Sequence, residues 1–214
     1  MADTIVKQSN YPLYQEGTAG ELRLNRRGEL VTVPLLVELV DDGRVFVASD
    51  ADENDTVTGQ TSFLATTPTF LLKVPTGTTA RVLWVHLDQA GTVAGGPITA
   101  VLSFDRADRY ASGGASETIR HMRTDQPNSA TCTLYSGATA AAATDACALK
   151  HITLDQDVTD PNQTKSVHEI GGVTFVSPLL VGPAAFLVFT YAGTTGPTWN
   201  WSIGWAEMST TVAK

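Results

Sequence analysis

Apolar and polar positions alternate over short runs along this chain, and Gly, Pro, Asn and Asp separate the runs. The longest block, residues 67–104, predicts three strands joined by a turn and a Gly-rich loop, because successive strand side chains point to opposite faces. In its middle strand Val82, Trp84 and His86 are expected on one face and residues 83, 85 and 87 on the other. Both faces are largely apolar, which predicts a central strand covered on both sides or lying beneath another subunit.

The C-terminal stretch GPAAFLVFTYAGTTGPTWNWSIGWAEM combines an apolar run with alternating tryptophans. The apolar residues 184–191 end at a Gly/Thr/Pro turn, after which Trp199, Trp201 and Trp205 alternate with small or polar residues. This pattern predicts a β-hairpin whose tryptophan face anchors the core, with the block 70–104 as the facing sheet. Each buried aromatic removes on the order of 150–250 Å² from water. Sugar stacking on outward-facing tryptophans is the less favoured interpretation.

Two segments admit a helix. Residues 31–49 fit two predictions. The first is a short helix that begins at Pro34, ends at Gly43 and is followed by a strand; the second is a hairpin with an Asp-Gly turn. The helix is favoured. The Ala-rich residues 138–148 have helix propensity for two turns, with a flexible loop as the alternative. Elsewhere short strands alternate with turns and long irregular insertions. The predicted fold is therefore all-β, a jelly-roll-like β-sandwich.

The predicted organisation is an N-terminal arm and turn over residues 1–30 and a single β-sandwich domain over residues 31–214. The first twenty residues are polar and show no apolar period, which predicts an extended arm. Arg23, Arg26 and Arg27 form the basic cluster of the chain. A solvated face is the favoured interpretation of this cluster; the alternatives are contact with an acidic neighbouring subunit or with packaged nucleic acid.

Composition narrows the class of protein. The 214 residues carry a formal net charge of -8, which argues against a dedicated nucleic-acid binder. The N-terminus lacks a secretory signal, and the apolar runs are shorter than the roughly 20 residues that span a bilayer. A soluble protein made in a cytoplasm is expected. Cys132 and Cys147 are either joined by a disulfide or present as two reduced thiols, and the reduced state is favoured.

Catalytic and metal motifs are not found in the sequence. The histidines are scattered, and His86 is interpreted as a core or interface residue. The acidic segments 50–55 and 155–160 lack the glycine and closing glutamate of a calcium loop, so exposed loops are favoured over metal sites. We therefore expect no enzyme activity, no cofactor and no metal.

Three strings carry a resemblance: YPLYQEGTAGELRLNRRGEL at residues 11–30, DGRVF at residues 42–46 and RYASGG at residues 109–114. They resemble uncharacterised virion structural proteins of environmental, largely marine, tailed bacteriophages. The resemblance implies a non-enzymatic capsid or capsid-associated subunit, located in the virion and synthesised in the host cytoplasm. A receptor-binding or carbohydrate-binding module on a tail or spike is the alternative. The acidic loop 50–55 departs from the pattern of these relatives.

The function so implied is assembly. The expected partners are further copies of this chain, with a trimer as the expected homo-oligomer, and other virion proteins, but neither a membrane nor a specific nucleic-acid sequence. The arm is expected to dock on adjacent subunits while the sandwich packs around a symmetry axis. The predicted interface residues are Tyr11, Tyr14, Arg23, Arg26 and Arg27.

Overall fold

The computed structural model describes residues 35–50, 52, 55–90, 95–154 and 165–209. The predicted arm and the acidic segment 155–160 lie outside these residues. The described chain contains one short helix, α1 (Leu35–Asp41), and is otherwise built of strands and loops. No helix in this part of the chain is long and apolar enough to cross a membrane. The strands are β1 (Val45–Ser49), β2 (Val57–Thr58), β3 (Phe70–Val74), β4 (Thr78–Gln89), β5 (Ile98–Asp105), β6 (Tyr110–Ser112), β7 (Ala115–Ser116), β8 (Ile119–His121), β9 (Thr133–Ser136), β10 (Thr139–Ala140), β11 (Ala146–Leu154), β12 (Ser166–Ile170), β13 (Leu180–Val181), β14 (Ala184–Tyr191) and β15 (Thr198–Ser209).

The order of the strands in the two main sheets is that of a jelly roll. Eight described strands have five or more residues. The first, eighth, third and sixth of them lie side by side in one sheet, in the order β1-β15-β4-β12. The second, seventh, fourth and fifth form the other sheet, in the order β3-β14-β5-β11. This interleaving of two Greek keys confirms the predicted jelly-roll-like sandwich. We call these the first sheet and the second sheet.

The prediction that the C-terminal stretch forms a β-hairpin is wrong. The run 184–191 forms β14, which pairs with β3 and β5 in the second sheet. The tryptophan run forms β15, which pairs with β4 and β1 in the first sheet. The intervening turn therefore crosses from one sheet to the other. Two apolar strands joined by a short turn fit either arrangement, and the choice depends on the partners that each strand finds elsewhere in the chain.

The tryptophan face fills the space between the sheets, as predicted, but the block 70–104 is divided: β3 and β5 face it from the second sheet, whereas β4 pairs with β15 beside it. Trp199 and Trp205 are fully buried, and the Trp201 side chain is 3% exposed. Phe70 of the second sheet packs on Trp201 with ring centroids 4.7 Å apart. The Trp199 indole Nε1 donates a hydrogen bond to Thr190 Oγ1 at 3.0 Å, so its polar atom is satisfied inside the core.

A β-bulge in β4 breaks the predicted alternation. Gly204 of β15 pairs with Trp84 and the next residue pairs with Val82, so Leu83 is the extra residue. As a result Val82 and Val85 both face the core and are fully buried, while Trp84 is half-buried on the outer face. Val82 and Trp84 therefore do not share a face. The predicted central position of β4 is confirmed by its place between β12 and β15, but the described residues do not cover its outer face, where Asp88 is exposed.

The helix favoured for the start of the domain is present and closes on Gly43. Gly43 has a φ of 68°, its N–H donates to Val40 O at 2.9 Å, and the Arg44 N–H donates to Leu39 O at 3.0 Å. These two bonds make a Schellman cap, which requires the left-handed conformation that glycine adopts readily. The chain then enters β1, which confirms the prediction of a helix followed by a strand.

A long insertion, residues 106–145, separates β5 from β11 and crosses the sandwich. Its strand β8 pairs with β1 at one edge of the first sheet, and β9 pairs with β3 at the edge of the second sheet. Its two ends, around β6 and β10, cover the outer face of the second sheet, where Ala140 packs in a cluster with Leu71 and Leu187. The helix considered for residues 138–148 does not form, because this segment is drawn into β10 and β11.

A buried ion pair anchors the insertion. Arg109 Nη1 lies 3.1 Å from Asp105 Oδ2, and the two side chains are 2% and 0% exposed. The guanidinium also donates to Ala65 O at 2.8 Å and to Ala141 O at 2.7 Å. Burial opposes ionisation of Asp105, but N–H groups of Thr144 and residue 145 together with Arg109 outweigh burial and hold the pKa of Asp105 below its ordinary value.

Candidate functional site

The interface residues predicted from the sequence, Tyr11, Tyr14, Arg23, Arg26 and Arg27, all lie outside the described residues. The described surface offers two other features. One is the outer face of the first sheet around Trp84. The other is an apolar segment that follows β12. Both lie beside β4, the strand predicted to be apolar on two faces.

The first feature, the Trp84 face, consists of Trp84, His86, Asp88, His168 and Ile170. Strand pairing places Ile170 opposite Trp84 and His168 opposite His86 on adjacent strands. Trp84 and His86 are half-buried, whereas the other three side chains are exposed. The sequence pointed to His86 as a core or interface residue, but it did not reveal that β12 brings a second histidine beside it. Only the pairing of β12 with β4 shows this.

The Trp84 indole lies flat on the backbone of β15. A Cβ placed on Gly204 would come within 2.2, 2.3 and 2.4 Å of three consecutive atoms of the six-membered ring, and near-equal distances mean that the ring presents its face. The ring edge is also held, because Trp84 Nε1 donates to Ser202 Oγ at 3.1 Å. Glycine at position 204 thus allows the indole to lie against the sheet with its orientation fixed on two sides.

Two histidines and one carboxylate lie together beside this indole. The His86 and His168 ring centroids are 4.9 Å apart, and His168 Nε2 lies 2.9 Å from Asp88 Oδ1. Burial, reinforced by the charge of His168, lowers the pKa of His86. Burial also opposes ionisation of Asp88, but bonds from Ser166 and His168 hold the pKa of Asp88 below its ordinary value. The neutral imidazole and the carboxylate are therefore both favoured near neutral pH.

The second feature, the edge segment, is residues 170–181, which run from the end of β12 through β13. Val173 is 78% exposed and Val176 is 83% exposed, and Val181 of the short edge strand is 54% exposed. Phe175 between the first two valines is buried and contacts Phe186 of the second sheet. The segment is thus held to the core while it presents apolar side chains to solvent.

An ion pair fixes the edge segment to the second sheet. Lys150 Nζ of β11 lies 2.7 Å from Glu169 Oε1 and donates to Thr174 O at 3.0 Å. Glu169 is 6% exposed. The bonds join β11, β12 and the edge segment, so the exposed valines project from a braced backbone.

A third region, an open depression of about 310 Å³ near Arg44 and Glu207, is occupied by structural bonds. The Glu207 carboxylate accepts the N–H groups of Thr131 and Cys132 at 2.8 and 2.9 Å, and also the Trp205 indole Nε1 at 3.0 Å. These bonds hold the insertion against the end of β15. The carboxylate is committed to the fold, so we do not assign a ligand to this depression.

The remaining chemical groups do not form a reactive cluster in the described chain. Cys132 and Cys147 are both free thiols; the first is buried, and burial raises its pKa, while the second is exposed. Within residues 35–50, 52, 55–90, 95–154 and 165–209, no group of three or more His, Cys, Asp or Glu side chains is placed to hold a metal ion. His121 is bonded to backbone atoms: it accepts from the Arg123 N–H at 2.9 Å.

Comparisons with known proteins give little further information. No protein-family model matches the chain, and no curated protein matches it. Among solved structures it is similar to a chain in the structure of infectious bursal disease virus Gx strain, at 15% sequence identity and a TM-score of 0.20. The match covers 77% of this chain and 41% of that chain, less than half of its length. At this TM-score the similarity carries no argument, and the jelly-roll assignment rests on the strand order.

Proposed function

We propose that this chain is a non-enzymatic structural subunit of a virion, of the tailed-bacteriophage kind that its sequence resembles, and that it assembles with further copies of itself. The jelly roll supports this proposal because it is a recurrent architecture of viral capsid subunits, although lectins and cupins share it. The filled interior supports it as well. Because packed side chains, including the tryptophans of β15, fill the space between the sheets, partners would bind on the outer surfaces.

The observation that carries the proposal is the edge segment. Its two most exposed valines, at 78% and 83%, lie within a stretch of twelve residues that also exposes Val181. Exposed apolar side chains grouped in one segment are typical of protein interaction sites. Helix α1, which precedes β1 and so lies away from the edge segment, separately exposes Leu36 and Val37 at 44% and 47%. Covering these side chains in an assembly would remove them from water.

The proposal is tested by the oligomeric state of the full chain. Sedimentation velocity should show a concentration-dependent oligomer, and the double variant Val173→Asp/Val176→Asp should shift it toward the monomer. The matched control is Ala111→Asp/Thr153→Asp, which adds the same charge at exposed positions of β6 and β11. If the full chain is monomeric at all concentrations and is absent from purified particles of the virus that encodes it, the proposal is wrong.

The arm has a separate test. We propose that Tyr11, Tyr14 and the arginines at 23, 26 and 27 dock on adjacent subunits. Deletion of residues 1–20 should then reduce incorporation into particles, measured as copy number by quantitative mass spectrometry. Unchanged incorporation would remove the arm from the mechanism without affecting the role of the edge segment.

A further inference from the structure

We propose that the Trp84 face is a carbohydrate-binding surface, on which one sugar ring of an oligosaccharide stacks against the Trp84 indole while hydroxyl groups of that ring and of its neighbour bond to His86, His168 and Asp88. This site goes beyond assembly. It also differs from the tryptophan strand that the sequence offered for sugar binding, because Trp199, Trp201 and Trp205 are in the core. Among the tryptophans, Trp84 alone lies on an outer face.

The indole is preorganised for stacking. One ring face lies on Gly204 and the ring nitrogen is bonded to Ser202, so the part of this half-buried side chain that remains accessible faces away from the sheet. Its orientation is already set before a ligand arrives. A ligand that stacks there would not have to order a mobile side chain, which lowers the entropic cost of binding.

The residues of β15 beside Trp84 and His86 are small, Gly204 and Ser202. The next strand places the half-buried Val47 opposite Gly204 and Ser49 opposite Ser202, and Ile170 of β12 lies opposite Trp84 on the other side. The indole is thus bordered by aliphatic side chains, and the serines lie on the side toward His86. A pyranose ring can therefore place its C–H face on the apolar groups and its hydroxyl groups toward the polar ones.

The polar groups suit a ligand that both donates and accepts hydrogen bonds. His86 has its ring centroid 6.4 Å from that of Trp84, and within the described residues its ring nitrogens form no hydrogen bond. His168 uses Nε2 on Asp88 and retains Nδ1. A carboxylate has about four lone-pair sites, so Asp88 retains capacity to accept. The imidazole nitrogens and carboxylate oxygens follow one another away from the indole, from His86 to His168 and Asp88, and so match the hydroxyl groups along a short oligosaccharide.

Charge and polarity argue against other ligand classes. The ionised Asp88 and the net charge of -8 disfavour an anion. A purely apolar ligand would cover His86 and His168 without satisfying their ring nitrogens, which carries a desolvation penalty. A neutral sugar avoids both penalties, because its C–H face contacts the indole and its hydroxyls bond to the imidazoles. We therefore expect neutral hexoses or N-acetylhexosamines within an oligosaccharide.

The test uses the full chain on an array of neutral and sialylated oligosaccharides, followed by titration of the strongest binder. We expect binding to at least one neutral glycan. Trp84→Ala should weaken it at least about tenfold, whereas Trp84→Tyr, which keeps a ring, should weaken it less. The matched aromatic control is Phe63→Ala, at an exposed phenylalanine beside Phe189 of the second sheet.

A second variant guards against loss of folding in Trp84→Ala. His168 has an exposed side chain, so His168→Ala should fold and should also weaken binding, while His151→Ala on β11 should not. Absence of binding at millimolar glycan, or binding that Trp84→Ala and His168→Ala leave unchanged, would overturn the proposal. So would a change in sedimentation without any change in glycan binding, because the face would then be a subunit interface.

Discussion

The outer faces of the two sheets differ in what covers them. On the second sheet Leu71, Leu187 and Phe189 point outward and are at most 5% exposed, because the insertion packs over this face and Phe63 packs on Phe189. On the first sheet Trp84 is half-buried and Ile170 is 43% exposed. Each face carries apolar side chains, yet the described chain supplies a cover for one of them. Both sites that we propose, the Trp84 face and the edge segment, lie on or beside the first sheet, whose outer face has no such cover among the described residues.

The chemistry of the two faces follows the same division. The covered face is aliphatic and aromatic, with Tyr110 and Tyr135 stacked at 4.2 Å along its border. The Trp84 face adds two imidazoles and a carboxylate to its apolar groups. Polar groups of this kind are stable while water can bond to them and unfavourable beneath an apolar cover. A face that stays accessible can therefore carry them.

The largest expected effect is on the anchor of the covered face. Arg109→Ala should lower the free energy of unfolding by about 3–5 kcal/mol, since it leaves the fully buried Asp105 carboxylate without its cation. Chemical denaturation measures the loss. Arg106→Ala is the control, because its pair with Asp145 is exposed and should contribute below about 1 kcal/mol. Equal losses in the two variants would show that the anchor does not hold the insertion.

A smaller effect is expected at the centre of the Trp84 face. Gly204→Ala should destabilise the fold by about 1–3 kcal/mol, because the new methyl group overlaps the indole and must displace it. Near-ultraviolet circular dichroism and tryptophan fluorescence should report the new environment of Trp84. Ser49→Ala, at an exposed position one strand away, should change the free energy of unfolding by less than about 0.5 kcal/mol. An unchanged tryptophan spectrum would mean that the indole does not lie on Gly204.

The hydrogen bond at the indole edge should contribute less. Ser202→Ala removes the acceptor of Trp84 Nε1 and should lower the free energy of unfolding by about 0.5–1.5 kcal/mol. Quenching by acrylamide should rise as the ring gains mobility. Ser112→Ala on the exposed β6 is the control and should alter neither quantity. If both variants behave as the unaltered protein does, Ser202 has no part in orienting the ring.

The smallest expected effect is a pH dependence of stability that arises from His86 on the Trp84 face. The pKa of His86 is lowered in the folded chain, so below pH 6.5 the unfolded chain binds more protons than the folded chain does. The contribution of His86 to stability is complete above pH 6.5 and is lost as the pH falls toward the folded-state pKa. His168 and Asp88 are the other charged groups that face this imidazole.

The free energy of unfolding, measured from pH 7.5 to pH 5 in steps of roughly one pH unit, should decrease in this way. His86→Gln should reduce the slope in that window, and His151→Gln, at an exposed position on the second sheet, should leave it unchanged. A slope that His86→Gln does not alter would assign the pH dependence to other groups.

Much of the fold was predictable from local patterns. The strand-rich block 67–104, the helix closed by Gly43 and the burial of the tryptophan run are all confirmed. Each depends on residues close together in the chain: alternation, a glycine cap, or aromatics at every second position. The jelly-roll architecture was also expected, from many short strands with long insertions.

The candidate site was much less predictable. Trp84 and His86 lie two residues apart in β4 and share one face. The bulge at Leu83 puts that face on the outside of the sheet, opposite to Val82. His168 and Ile170 come from a strand about eighty residues later, and their register against β4 brings them to the indole. Periodicity within one strand contains no information about a distant partner or about a bulge.

The sequence by itself determined that this protein would be a β-sandwich with an aromatic core, because alternation and turn residues act over a few positions and need no distant partner. Tertiary structure alone decided that β14 and β15 belong to opposite sheets and that the insertion covers one outer face. It also decided that Trp84 lies on Gly204. Strand partners are selected by the packing of the whole chain, and the surface that remains after packing is where function is sought.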